Sequence, residues 1–174
     1  MCTPSLAIDL VIEVDRPAQI QSQYPVAVVL VRRRDNALMA TMGGFVDVDE
    51  TVETAVAREL QEETGLALKE PPTLLGVYSD PRRDARRHTV SAVFVSRGTG
   101  KMRAGDDVKQ VEIIPVEQLA SLDYAFDHAQ IIRDYLEQRH GISQKLDKPE
   151  WTRSVCPQSA SAQMHKIPRI EDLI

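Results

Sequence analysis

Gly44-Phe45-Val46-Asp47-Val48-Asp49-Glu50, seven further residues, and then Arg58-Glu59-Leu60-Gln61-Glu62-Glu63-Thr64-Gly65-Leu66 form the stretch that decides how this 174-residue chain is read. From residue 50 to 64 the apolar positions Val52, Val56 and Leu60 recur every four residues among strong helix formers, and Gly65 follows as a stop signal. The spacing predicts a helix over residues 50–64. Glutamates crowd it at 50, 53, 59, 62 and 63, and Arg58 is the only cation on the helix proper. Like charges three and four residues apart repel, so something must compensate. At about 100° per residue, positions 59, 62 and 63 fall within roughly 100° of arc and share one edge of the helix. Three hard oxygen donors on one edge suit magnesium or manganese, which complete their shells with water and substrate phosphates. Spacing alone is equally compatible with a solvated acidic face.

Outward from this helix the chain alternates between strand and helix signals. Residues 7–14 and 25–32 are rich in Val, Ile and Leu and read as strands, joined by a polar link. Asp35-Asn36 signals a turn, after which residues 37–42 read as a short strand ending in a loop at Gly43 and Gly44. Residues 74–79, 89–96 and 111–115 are further strands, separated by an Arg-rich loop at 80–87 and a Gly-rich turn at 98–105. Asp127 precedes Ala129, Ile131, Ile132 and Tyr135, a second helix with a carboxylate at its N-terminal end. These elements suggest one domain over residues 1–141. Residues 142–174 are polar, carry prolines and lack a clear period, and are expected to form an extended tail that docks, if at all, through Trp151 and residues 167–174.

The composition is 43% hydrophobic, 27% charged and 5% aromatic, within the globular range. A formal net charge of -5 attracts neither nucleic acid nor an anionic membrane, so neither is expected as a partner. An anionic substrate needs a local countercharge. Cys2 and Cys156 lie far apart without metal-ligand spacing, which favours a reducing, cytoplasmic setting. The apolar stretch at 6–14 is interrupted by Asp9 and Glu13 and lacks a basic flank, so it does not read as a signal peptide. No run approaches the roughly 20 apolar residues that span a bilayer. Ser154, Cys156 and His165 form no recognisable triad.

The central stretch resembles the signature of the Nudix hydrolase family: Gly, five residues, Glu, seven residues, then Arg-Glu-apolar-any-Glu-Glu-any-Gly-apolar. Every specified position is filled, from Gly44 to Leu66, and a pattern of that length at fixed spacing is highly specific. The resemblance extends from about residue 7 to about residue 135 and includes Ala125-Phe126-Asp127-His128. It implies an α/β fold, an α/β/α sandwich with a mixed β-sheet on which the first helix packs through Val52, Val56 and Leu60. It also implies a magnesium-dependent (or manganese-dependent) enzyme in which Glu59 and Glu63 are the principal metal ligands. Glu62 would be an additional ligand or a water-held carboxylate, and the Gly43 carbonyl a backbone ligand. Arg58 would orient the glutamates, paired with Glu50 or Glu62. The reaction implied is attack of a metal-activated water on one phosphorus of a diphosphate. Relatives often add a loop acid after the helix. Asp106, Asp107 and Glu112 are the candidates, with Asp107 preferred and Glu112 placed in a strand as a structural pair.

The segment Tyr78-Ser79-Asp80-Pro81-Arg82-Arg83-Asp84-Ala85-Arg86-Arg87-His88 is similar to one found in ADP-ribose pyrophosphatases of this family, with Pro81 near the position of their proline. ADP-ribose is therefore the leading substrate, giving AMP and ribose 5-phosphate. Arg82, Arg83 and Arg86 are candidates for holding its phosphate or ribose, because guanidinium binds phosphate oxygens in a bidentate fork. Ala85 and Arg87 stand where relatives carry proline and glycine, so a differently shaped loop is expected. Thr41-Met42 likewise departs from a common proline. Hydrolysis of a nucleotide sugar, a dinucleoside polyphosphate or an oxidised nucleoside triphosphate stays open, as does a non-catalytic ligand-sensing Nudix module and a homodimeric assembly. His128 reads better as a packed, hydrogen-bonded histidine than as a catalytic one.

Overall fold

Strand β1 (Ser5–Asp15) is buried from Ala7 to Val14 on both faces, the pattern of a central strand covered by two layers. Ile8, Leu10, Ile12 and Val14 point to one layer and Val11 to the other, while Asp9 and Glu13 share Val11's face. The computed structural model describes residues 3–102 and 109–143. Along these, β1 is followed by β2 (Val26–Arg33), β3 (Met39–Ala40), β4 (Met42–Phe45), α1 (Val52–Thr64), β5 (Ala67–Leu68), β6 (Thr73–Tyr78), β7 (Thr89–Thr99), β8 (Lys109–Pro115), a 3-10 helix (Val116–Ser121) and α2 (His128–His140).

The sheet is mixed. β1 runs parallel to β7 from Ser5↔Thr89 to Glu13↔Arg97, and every other pairing between these strands is antiparallel. On its other edge β1 changes partner part-way. Residues 12–15 pair with β2, whereas residues 7–10 pair with β4. β2 meanwhile pairs with β3 at Val31↔Ala40 and Arg32↔Met39. The chain from Met39 to Phe45 thus fills the wedge where β1 and β2 diverge, with Thr41 at the crossing. Gly43 and Gly44 consequently lie within β4 and not in a loop, correcting the sequence reading. Gly98, expected in a turn, likewise belongs to β7.

One face of the sheet packs on α1 through Ala55, Val56 and Leu60, against Ile8, Leu10, Ile12, Val29 and Met42. The opposite face packs on α2 through Ile131, Ile132, Tyr135 and Leu136, against Val11, Val28, Leu30 and Val93. This is the α/β/α sandwich. Each such side chain, taken fully from water, contributes about 1.5–3 kcal/mol. Val52, expected in the core, is only half-buried, and Ala55 takes that place.

The ends of α1 follow local rules. Thr51 caps it, its hydroxyl accepting from Thr54 N–H at 3.2 Å. Gly65, at φ 71°, closes it in the left-handed conformation by donating to Gln61 O at 2.8 Å. The helix starts two residues later than its periodicity predicts because Glu50 lies before the cap. The N-terminal end of α2 departs further from expectation. Asp127 occupies the cap position without any side-chain capping bond, since its carboxylate faces elsewhere. Among the described residues no helix is long and apolar enough to cross a membrane. The expected tail beyond Ser143, with Trp151, lies outside the described residues, as do Cys2 and Cys156.

Candidate active site

Arg58 is the hub of the glutamate-rich stretch. Its Nε and Nη2 donate to the two oxygens of Glu50, each at 2.8 Å, and its Nη1 donates to Glu59 Oε1 at 2.7 Å and to Glu62 Oε2 at 3.4 Å. Nη2 also reaches the Phe45 carbonyl at 3.2 Å. One cation thereby relieves the repulsion among the carboxylates and ties the loop after β4 to α1. The bond from Arg58, helped by the Asp47 N–H, holds the Glu50 carboxyl down at about 2. These carboxylates in turn raise the Arg58 pKa.

The two glycines before this loop serve different needs. At Gly43, φ is 153° and a Cβ would meet the Ile8 carbonyl oxygen at 2.2 Å, so backbone geometry and space both demand glycine. At Gly44 a Cβ would meet Glu59 Oε1 at 2.1 Å. The Glu59 carboxylate lies directly against the β4 backbone. Glu62 is exposed, and Glu63 is half-buried with one carboxylate oxygen shielded from solvent. Glu59, Glu62 and Glu63 share a helix edge as predicted. Among the described residues, however, no three His, Cys, Asp or Glu side chains converge closely enough to hold a metal ion. Arg58 occupies one Glu59 oxygen instead.

Beside Gly43 and Gly44 opens a cleft of about 240 Å³. Its floor is a buried polar network built where β1, the β3–β4 crossing and α2 meet. Asp9 accepts from Ser91 Oγ at 2.6 Å, Thr41 Oγ1 at 3.1 Å and Arg83 Nη2 at 3.3 Å. Arg83 also holds Asp127 through two bonds of 2.8 Å. Burial works against the Arg83 charge, but Asp127 and Asp9 outweigh it and its pKa is raised. His128 Nδ1 accepts from the Thr41 N–H at 3.0 Å, which leaves the ring proton on Nε2, 3.6 Å from Asp9 Oδ1. Burial lowers the His128 pKa, and the ring is neutral near pH 7.

The Arg-rich loop is shaped by two successive aspartate turns. Asp80 accepts from the N–H and guanidinium of Arg82, and Asp84 does the same for Arg86. Arg82 and Arg86 are therefore turned outward, while Arg83, only 6% exposed, points in. Of the predicted substrate arginines, Arg83 and Arg86 line the cleft and Arg82 does not. Arg83 reaches it as a floor residue already held by carboxylates. Glu112 pairs with Arg32 at 2.6 Å on β8. Asp106 and Asp107 lie outside the described residues. Sequence reading missed Asp9, Thr41, Asp127, Arg33 and Phe126 as cleft or network residues. The signal for the first was available: a charge inside an otherwise apolar strand must find a buried partner.

The NUDIX domain model matches residues 16–135. The chain belongs to the Nudix family. The ADP-ribose pyrophosphatase of Methanocaldococcus jannaschii is 42% identical over 142 residues, 79% of this chain and 76% of that protein. This Nudix protein is accordingly an ADP-ribose pyrophosphatase-like Nudix pyrophosphohydrolase. Among solved structures, the NUDIX domain of Shewanella oneidensis NrtR complexed with ADP ribose has 25% identity and a TM-score of 0.67, covering 79% of this chain and 90% of that one. A bifunctional NMN adenylyltransferase/ADP ribose pyrophosphatase from Francisella tularensis, complexed with AMP and a manganese ion, has 25% identity and a TM-score of 0.61. That match covers 79% of this Nudix chain and 42% of the Francisella chain.

Proposed function

We propose that this Nudix hydrolase cleaves ADP-ribose to AMP and ribose 5-phosphate with a divalent cation, magnesium or manganese. The observation that carries this reading is the 42% identity to an ADP-ribose pyrophosphatase across most of both chains. The cleft geometry supports it, because Glu59 of α1 lies against Gly44, which lines the cleft, while Arg33 and Arg86 stand on its wall. One side is suited to a cation and the other to an anion.

The donor set is all oxygen, which fits a hard divalent ion. Glu59 and Glu63 would hold it, with Glu62 and the Gly43 carbonyl as further donors. A divalent ion held there would supply charge neutralisation for the diphosphate and a more acidic water. Arg58 keeps the glutamates and the Glu50 loop in register, and its bond to Glu59 Oε1 would have to open for that oxygen to reach the ion. Asp107 would take the proton from the attacking water. The water oxygen bonds to one phosphorus, the bridging P–O bond breaks, and the phosphate on the far side leaves. Catalysis is assigned to residues 1–141.

The test is incubation of the full chain with ADP-ribose and magnesium, products being resolved by ion-exchange chromatography. AMP and ribose 5-phosphate in equal amounts are expected. Much faster turnover of nucleoside triphosphates or dinucleoside polyphosphates at low concentration would overturn the substrate assignment.

A further inference from the structure

Phe126 stands in a backbone conformation that a bulky residue avoids. Its φ is 55°, in the left-handed region, and the residue is 39% exposed. The residues around it are locked. Ala125, Asp127 and His128 are all buried, Ala125 N–H donates to Met39 O at 2.9 Å, and Asp127 is held by Arg83. Strain and an exposed apolar ring are two separate local costs, and glycine or asparagine would avoid both. Such strain points to a function for the side chain that bears it.

The surroundings of the ring indicate which. Phe126 lines the same cleft as Gly44, and the guanidinium carbons of Arg33 and Arg86 lie 4.9 and 5.3 Å from its centroid. A ring face that gathers flat, delocalised cations is also a face for another flat π-system. The two arginines differ in exposure. Each guanidinium makes two bonds to an aspartate two residues away, Arg33 to Asp35 and Arg86 to Asp84, but the Arg33 side chain is 24% exposed and the Arg86 side chain 64%. Arg86, on the solvent side, is the one of the two that can move outward to admit a flat ring, giving up its Asp84 bonds for the stack.

We propose that Phe126 and Arg86 form a clamp for the base of a purine nucleotide, the ring serving as platform and the guanidinium as the jaw that closes on the opposite face. The proposal rests on the nucleoside diphosphate reading given above and names the residues that hold the nucleoside end. Phe45 carries the guanidinium of a further arginine, Arg87, at 5.1 Å. It directly follows Gly44, whose backbone touches Glu59, and so belongs to the end where the diphosphate reacts. The clamp ring enters from the start of α2 instead.

Stacking of a base on an aromatic side chain corresponds to roughly five- to a hundred-fold in affinity. The test measures AMP and ribose 5-phosphate binding by calorimetry without metal, and ADP-ribose turnover with magnesium, for wild type, Phe126→Gly, Phe126→Trp and Phe45→Leu. Phe126→Gly relieves the strained backbone and should melt no lower than wild type, which separates ring loss from misfolding. It should bind AMP at least tenfold more weakly, leave ribose 5-phosphate binding unchanged, and raise KM for ADP-ribose with little change in kcat. Phe126→Trp should retain AMP. Absence of AMP binding in wild type, or equal AMP affinity in wild type and Phe126→Gly, overturns the clamp, as does loss confined to Phe45→Leu. Phe126-dependent AMP binding without any ADP-ribose turnover sustains the clamp and removes the ADP-ribose reading. Unchanged turnover constants in Phe126→Gly do the reverse.

Discussion

Arg83 and Asp127 meet through two parallel bonds, Nε to Oδ2 and Nη2 to Oδ1, each of 2.8 Å. The pair fastens the loop between β6 and β7 to the first residue before α2, and Asp9 of β1 joins it from below. Three segments distant in sequence thus share one buried ionic junction under the cleft. It also explains why Asp127 does not cap α2: the carboxylate gains more from a desolvated, bidentate guanidinium than from an N-terminal amide.

Removing Arg83 leaves two carboxylates buried together. Arg83→Met is therefore expected to cost about 3–5 kcal/mol in urea unfolding, whereas Arg82→Ala, on the solvent side of the same loop, should stay within about 0.5 kcal/mol. Combining Arg83→Met with Asp127→Leu should recover part of the loss, because most of it comes from stranding a charge. Equal melting of the Arg83 and Arg82 variants would show that the junction contributes nothing.

Glu50 gives the fold an acid-sensitive element. Its carboxyl is depressed from 4.5 to about 2, chiefly by the Arg58 bond. A depressed folded pKa means that the native state binds the proton less readily than the unfolded chain, so this stabilisation is complete above about pH 4.5 and is lost as pH falls toward 2. Glu50→Gln should unfold more readily than wild type at pH 6, and the gap should close across that window. A gap of constant size from pH 6 to pH 2 would rule out the linkage.

Glu63→Gln keeps volume and removes charge at a half-buried position on α1, seven residues and so about two turns beyond the core residue Val56. It is expected to abolish most metal-dependent turnover and weaken manganese binding in a spin-resonance titration, with the melting temperature within a few degrees of wild type. Near-normal turnover at saturating magnesium would dismiss the metal assignment. Chelation of the wild-type protein should have the same effect on turnover, reversed by added magnesium.

How much of this was legible in the sequence depends on whether the signal is local. The α1 helix, its Gly65 stop and the shared edge of Glu59, Glu62 and Glu63 all follow from spacing along one element, whereas Arg58's partner stayed open between Glu50 and Glu62 because Glu50 lies before the helix cap. The mixed strands were legible as apolar runs, but the partner exchange along β1 was not, because pairing is decided by residues far apart in sequence. The inward turn of Arg83 between outward Arg82 and Arg86 was equally hidden, since a loop has no period to assign a face. Only the structure brings it to Asp127, 44 positions away. Two-residue β5 and the 3-10 helix at Val116–Ser121 were too short to register.

The adjoining glycines of β4 offer a separation of folding from catalysis. A methyl at Gly43 would meet the Ile8 carbonyl, a backbone atom in the central strand that cannot retreat without breaking the β1–β4 pairing, and would also hold alanine at φ 153°. Gly43→Ala should therefore destabilise the fold by about 1–3 kcal/mol or more. A methyl at Gly44 meets only the carboxylate end of Glu59, which is the far end of a flexible side chain and can rotate aside. Gly44→Ala should leave the unfolding midpoint close to wild type but move Glu59 out of place. If Glu59 holds the cation, turnover should fall at least tenfold while Arg58 stays paired with Glu50. Stability curves and initial rates for both variants provide the measurement. A Gly44→Ala protein that is stable and fully active would mean that the position of Glu59 against the β4 backbone has no part in the chemistry.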